Sequence, residues 1–562
     1  MQVFTDCSQT MMVKRLSAIV CLLLTATMIR AQNVDVFAER VSMDMNMLSA
    51  LRGQQSIGRM SVWPISMPAL DEVIAKVPND YSAWTHEYYH PLLQGADTTS
   101  SMEAAKTTHG RFRLGRYSDG MARLQIDAAL MARGGTYTLD DSSSVYALLR
   151  PSMRFAGSLF SGSFGYFLDL SNGVRLAGTP TLIARTDPTL GRTLKFVVEE
   201  QKFFDRYVGY VQYQHPNFRL RFGREPLQVG FSPIDNFMHS INAPLMDGLL
   251  IDVPYGPFRF TSTHSLAEGL DTAGQAVPSK YIATHRVALD PAPWLSVALS
   301  DMIVYYGRGL DFSYLNPLAF FVSAGLGTQD RSTFDNSMIG VDIAVRPMDN
   351  TMLYGSLIID DLSYATLSDT SVLGNNNKFA YMLGASGVFD IASQPTMVSM
   401  EFVRIDPFTF SHRRMYASYT TLGAPVGYDM QPNSDRLALQ LRHWFTPRTF
   451  VRLDLDYTRH GDNLLDASGQ IIMGEDPRFP GSGIQVPVGN VGGDILRGDG
   501  DFLVGNRFLR GNVSHMRRLS AWFSSELWPN IITDVRVGYS NRNGGNTPGS
   551  FLFTSFEVRV GY

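Results

Sequence analysis

The sequence predicts an all-β chain: a transmembrane antiparallel β-barrel of about 18 strands behind a short N-terminal helical or irregular segment. Three observations point there. From about residue 110 the apolar residues recur with period two. The connections between these segments alternate between short and long. The last stretch, Phe551 to Tyr562, alternates as well and ends in an aromatic residue. Val451, Leu453, Leu455 and Tyr457 share one face, with Arg452, Asp454 and Asp456 between them. Leu437, Leu439 and Leu441 alternate with Arg436, Gln440 and Arg442, and Val535, Val537 and Tyr539 with Asp534, Arg536 and Ser540. Such strands need one dry and one wet face.

Taken in order, residues 1–31 read as a secretory signal. Lys14 and Arg15 precede an apolar run from Leu16 to Ile29, and Ala31 before Gln32 offers a cleavage point. That run of about 14 apolar residues is too short to span a bilayer. Residues 32–109 form a different region, with helix-compatible stretches over Val41–Leu51 and Ala69–Val77, Pro64 and Pro68, and the cluster Trp84, Tyr88 and Tyr89. This region is expected to be a periplasmic or lumen-plugging segment. Residues 110–562 are expected to form the barrel. Short turns fall near Gly157–Gly162, His215–Asn217, Pro254–Pro257, Pro291–Pro293, Pro347–Asn350, Ala392–Pro395, Thr446–Arg448 and Pro529–Asn530. Between them lie long polar loops, such as Asp361–Lys378 and Gly461–Gly511. Short periplasmic turns facing long outer loops are the layout of outer-membrane barrels, and about eight such turns imply about nine hairpins. The terminal alternation of Phe556, Val558, Val560 and Tyr562 against Glu557 and Arg559 resembles the signal read by the outer-membrane barrel assembly machinery, and closure of the barrel removes the unprotected edge.

Composition narrows the classes further. Charged residues are 18% of the chain, below the roughly 25% usual in soluble domains. A net charge of −4 without a basic block argues against nucleic acid as a partner. The only two cysteines, Cys7 and Cys21, lie in the exported segment, so the mature chain is expected to hold no disulfide and no thiolate site.

The candidate binding residues are few. Asp360 and Asp361 close a probable strand before a polar loop. Their carboxylates suit sugar hydroxyls or a cation, or else cap the loop at the lumen rim; as strand neighbours they point to opposite faces and make no catalytic dyad. Asn316, Asp335 and Asn336 belong to or flank a loop running from Tyr306 to Phe334. That loop carries the apolar patch Leu318 to Val322, which is expected to fold inward and narrow the lumen; the alternative is lipid contact by an extended strand. Asp494, Asp499 and Asp501 in a Gly-rich loop match no defined calcium spacing, and no motif calls for a metal or another cofactor. The histidines, among them His285, His443, His460 and His515, anchor no nucleophile motif, and neither a Gly-x-Ser-x-Gly elbow in its context nor a His-Glu-x-x-His run occurs. The chain reads as a non-enzyme.

Three groups of words carry a family resemblance. The first is Gly223-Arg-Glu-Pro-Leu-Gln-Val-Gly230 leading to Ser240-Ile-Asn-Ala-Pro-Leu-Met-Asp247. The second runs from His285 through Tyr305-Tyr-Gly-Arg-Gly-Leu-Asp311 to Tyr314-Leu-Asn-Pro-Leu318, Asp335-Asn-Ser and Leu353 to Asp361. The third is Leu422-Gly-Ala-Pro-Val-Gly427 with Asn433-Ser-Asp-Arg-Leu437. In order and spacing, over roughly residues 45 to 460, they resemble the Wzi-like capsule assembly family, particularly its longer Bacteroidetes-type members. The resemblance implies an eighteen-stranded barrel in the bacterial outer membrane that helps attach or assemble surface (capsular) polysaccharide. Polysaccharide and outer-membrane lipid are then the expected partners, with Asn316, Asp335, Asn336, Asp360 and Asp361 as candidate polysaccharide-binding positions. The alternative reading is a porin-like channel passing small solutes through a charged lumen.

Overall fold

A computed structural model describes residues 51, 61–63, 113–180, 182, 203–215, 217–269, 279–321, 335–362, 377–498, 507–528 and 530–561. The expected signal (1–31), most of the 32–109 segment, Pro216, Val322, residues 363–376 of the expected Asp361–Lys378 loop, Asp499, Asp501, Pro529 and Tyr562 lie outside the described residues.

Eighteen strands close into one antiparallel barrel. They are β1 (Ala122–Leu139), β2 (Ser142–Leu159), β3 (Phe164–Ala177), β4 (Phe203–His215), β5 (Phe218–Glu225) and β6 (Met246–Tyr255). There follow β7 (Phe258–Ala267), β8 (Lys280–Ala292), β9 (Leu295–Tyr306), β10 (Asn336–Val345), β11 (Thr351–Asp361) and β12 (Lys378–Ile391). The last six are β13 (Gln394–Ile405), β14 (Ser434–Thr446), β15 (Thr449–Asp462), β16 (Asn512–Trp528), β17 (Ile531–Gly544) and β18 (Gly549–Val560). Each pairs with its sequence neighbour, and β18 closes onto β1 from Phe551↔Leu139 to Val560↔Leu130. A further strand, Arg113–Ser118, pairs with the first residues of β1 and lies in line with β18.

The eight connections at which short turns are predicted all join strands at one end of the barrel. At Ala392 and Ser393 the turn bends through positive φ at both residues (51° and 64°), the twist that a two-residue hairpin needs. A further tight turn, at Asp140 and Asp141, sits at the opposite end and has no proline to announce it.

The two faces of the wall separate cleanly. Leu437, Leu439, Leu453, Leu455 and Tyr457 are exposed outward, whereas Gln440 and Arg442 beside them are buried. Inside, charges are paired: Arg154 with Asp169 at 2.8 Å, Asp252 with Arg259 at 2.7 Å and Arg219 at 3.2 Å, Asp534 with Arg559 at 2.7 Å, and Arg286 with Asp342. A dry outer band on a closed sheet with every ladder group paired is what a bilayer demands of a β-protein. The last strand obeys the same rule: Phe556 faces outward, and Glu557 is buried against Arg133 and Arg559.

Candidate functional site

The lumen holds two of the outer connections, residues 226–245 and 406–433. Phe231, Phe237, Met238, Tyr419, Val426 and Tyr428 are all at most 4% exposed and join one apolar cluster with wall residues such as Met302, Met338 and Trp444. Val62 and Trp63 enter the same cluster, pairing antiparallel with Val229 and Gln228, while Gly230 donates its N–H to the Ser61 carbonyl.

Specific polar contacts fix these loops. The Glu401 carboxyl on β13 accepts from Ser232 Oγ of the first loop, Tyr428 OH of the second (2.8 Å) and Tyr354 OH of β11 (3.0 Å). Lys280 Nζ donates to the Ser418 carbonyl (2.6 Å) and to Thr420 Oγ1 (3.1 Å), and Tyr419 OH to the Met238 carbonyl. Asp235 accepts from the Asp429 amide (2.9 Å) and Asn242 Nδ2 (3.2 Å); burial raises its pKa above the usual carboxylate value. His239, with Nε2 3.3 Å from Thr263 Oγ1, is pushed down to about 4 by burial. Burial, reinforced by the Glu401 carboxyl, holds the Tyr428 phenol far above its ordinary range. A Cβ on Gly427 would overlap the Phe237 carbonyl, so the two loops meet where only glycine fits. Asn433, buried and at φ 56°, donates to the Gly461 and Arg510 carbonyls and accepts from the Leu509 amide, tying the lumen loop to the long outer loop 463–511.

The five sequence candidates are distributed over both sides of the rim. Asp335 accepts both Arg308 guanidinium donors (2.7 and 2.6 Å) and Tyr314 OH (2.7 Å). Its neighbour Asn336 is buried and donates to the Ala417 carbonyl of the lumen loop at 3.1 Å. Asp360 accepts from the Phe410 amide of that loop at 2.7 Å, while Asp361 is exposed with Lys378 Nζ at 2.9 Å. Asn316 is exposed and caps its own turn by accepting from the Leu318 amide at 3.1 Å. Asn336 and Asp360 thus converge on one loop, and the other three do not join them.

The loop after β9 departs from expectation. Cross-strand pairs Val287↔Leu299 and His285↔Asp301 share a face, and Val287 (44%) and Leu299 (53%) are exposed on the outer wall. Phe321 stacks on His285 at 4.1 Å, and its amide donates to Asp301 at 2.5 Å. The patch expected to fold inward therefore lies against the outside of the barrel; Asp301 and His285 supply polar anchors on the outer face, and a lumen position would have left them facing the bilayer.

At the upper rim, on the lumen side of the wall, is a group that the sequence did not reveal. Tyr306 and Tyr416 meet edge to face at 5.4 Å, and the exposed Arg414 lies within electrostatic reach of Tyr306. Tyr306 closes β9, but Tyr416 and Arg414 come from the lumen loop more than a hundred residues later, and no local motif marks them. Aromatic faces beside a guanidinium and amides are the chemistry that holds sugar rings and hydroxyls.

Closed wall, apolar outer band and loop-filled interior define an outer-membrane β-barrel whose lumen is occupied by its own loops. The chain belongs to the capsule assembly protein Wzi family, whose model matches residues 199–489, over half of the chain. No curated protein sequence matches it. Among solved structures it resembles Escherichia coli Wzi, described as an outer-membrane carbohydrate-binding β-barrel involved in group 1 capsule assembly; identity is 14%, TM-score 0.57, and 94% of this chain and 99% of that one are covered. A BenF-like porin of Pseudomonas fluorescens shares 10% identity at TM-score 0.42, covering 77% of this chain and 98% of its own. OprD of Pseudomonas aeruginosa shares 12% at 0.41, covering 77% and 95%. The porin-like reading is the less supported one, because the interior charges are paired and two loops pack among them.

Proposed function

We propose that the chain binds a surface polysaccharide at its outer rim during capsule assembly, without catalysing a reaction on it. The observation that carries this is the half-buried Tyr306–Tyr416 pair beside the exposed Arg414, with Tyr416 and Arg414 on a loop that Glu401, Lys280 and Asn336 pin in place. Preorganised aromatic and polar groups bind sugars with little ordering cost. Asp361, exposed at the rim beside Lys378, is the sequence candidate placed to meet hydroxyls, while Asp335, Asn336 and Asp360 position the loops and Asn316 caps a turn on the outer wall. The 32–109 segment acts as a plug in this reading, supported by Val62 and Trp63 paired inside the barrel. Residues 1–31 direct export, and the terminal strand meets the assembly machinery.

The test is a strain lacking the gene, with cell-bound and shed polysaccharide quantified separately. Polysaccharide made but shed supports the reading, provided that a Tyr416→Ala chain fails to restore retention. Unchanged retention refutes it, and conductance of the purified barrel becomes the next question.

A further inference from the structure

From the outer-wall position of the loop after β9, we propose that residues 309–321 form a membrane-embedded strap whose Leu318 and Phe320 lie among the acyl chains of the outer leaflet. The strap begins at the rim, where Arg308 lies over the Tyr305 ring at 4.6 Å and Asp311 caps the short helix Phe312–Leu315 by accepting from the Ser313 amide. It then descends the wall. Tyr314 and Phe321 are buried against Ala283, Ile303 and Tyr305, and His285 Nδ1 lies 3.0 Å from the Ala319 carbonyl.

Depth follows from the register. The anchoring pair His285↔Asp301 sits five positions below Lys280↔Tyr306, the upper end of the β8–β9 ladder. At about 3.4 Å per residue and a strand tilt near 40°, that is roughly 13 Å below the rim, against an apolar band about 25 Å tall. Below the anchor, the wall continues with lipid-exposed Val287 and Leu299.

His264, His285 and Asp301 face outward at a depth where a bare polar side chain is costly. The strap covers them, leaving each at most 7% exposed. In exchange it presents its own outer surface, on which Leu318 is 91% and Phe320 45% exposed. That surface continues the band formed by Leu266, Val287, Leu299 and Val341, each 44–53% exposed, so the occupant that covers the band also covers the strap.

The test is site-directed spin labelling of the full barrel in liposomes, with Cys7 and Cys21 replaced by Ser and single cysteines at L318C or F320C. L383C, on the lipid-facing wall, and F479C, in an outer loop, bracket the scale. Heat-modifiable migration on gels verifies that each variant is folded. Accessibility to dissolved oxygen relative to a water-soluble nickel chelate is expected to match L383C and to exceed F479C several-fold. A ratio like that of F479C overturns the proposal. So does protection from both reagents with spin–spin broadening, which would make the strap an interface between two copies.

Discussion

Removing the Glu401 carboxyl is expected to release both lumen loops at once. Glu401 is 1% exposed and takes three hydroxyl bonds, from Ser232, Tyr354 and Tyr428. Two of these partners sit on different loops, so the carboxyl is a shared knot. Glu401→Ala strands three buried hydroxyls at about 1 kcal/mol each, for a loss of about 3 kcal/mol in all. That corresponds to roughly two orders of magnitude in the docked-to-released ratio of the loops. Hydrogen exchange read by mass spectrometry checks it: amides in 228–245 and 415–430 are expected to exchange roughly a hundredfold faster, with the strand amides of β13 unchanged. Glu401→Gln keeps one acceptor oxygen and is expected to show about a tenfold effect or less. Unaltered exchange in both loop segments of the Ala variant would refute the knot.

Gly427→Ala forces a Cβ into the Phe237 carbonyl and is expected to destabilise the loop contact by about 2–4 kcal/mol, whereas Gly387→Ala, with 3.8 Å to its nearest neighbour, leaves thermal unfolding unchanged. His239 sits at about 4 when docked, below the ordinary 6.5, so its contribution to docking is complete above pH 6.5 and is lost as pH falls toward 4. Its full extent is about 3 kcal/mol, and the exchange difference between wild type and His239→Gln across that window isolates it from Asp235, whose raised pKa acts in the opposite sense. Tyr416→Ala removes one aromatic face and is expected to weaken oligosaccharide binding about tenfold in titration calorimetry, with the barrel's heat-modifiable migration intact. Asp335→Asn is expected to speed exchange in 309–321 and spare 415–430, and Asn336→Ala to do the reverse, since the two neighbours hold opposite sides of the wall.

The barrel was legible in the sequence because each strand advertises itself locally. Val451 to Tyr457 alternates, Pro447 and Pro395 punctuate the short turns, and the number of turns sets the number of strands. Alternation also told in advance that Asp360 and Asp361 part company, one toward Phe410 and the lumen, the other toward solvent. The same rule, applied to His285 and Asp301, would have placed polar anchors on the outer face and directed the Leu318–Phe321 patch to them. The apolar patch was instead read by hydrophobicity alone, which does not distinguish a lumen from a bilayer. Glu401 and Tyr416 were out of reach for another reason. Their partners lie 169 residues away at Ser232 and 110 residues away at Tyr306, and no period relates a strand residue to a loop that folds back beside it.

Several of the words that carry the resemblance fall at contacts of long range. Gly223 to Gly230 ends in the pair that receives Val62 and Trp63; Leu422 to Gly427 contains the glycine pressed on Phe237; Asn433 clasps the outer loop; and Tyr305 to Leu318 runs from the end of β9 into the strap. None of these is needed to close a barrel, since an outward-apolar, inward-polar strand tolerates many sequences. What constrains them is the interior and the rim, where a loop must meet a wall at one carbonyl, one hydroxyl or one missing Cβ. A barrel built only to conduct would be relieved of that constraint. Loop–wall contacts held at single hydroxyls, carbonyls and a missing Cβ fix the rim on the wall, and the barrel serves as its mount.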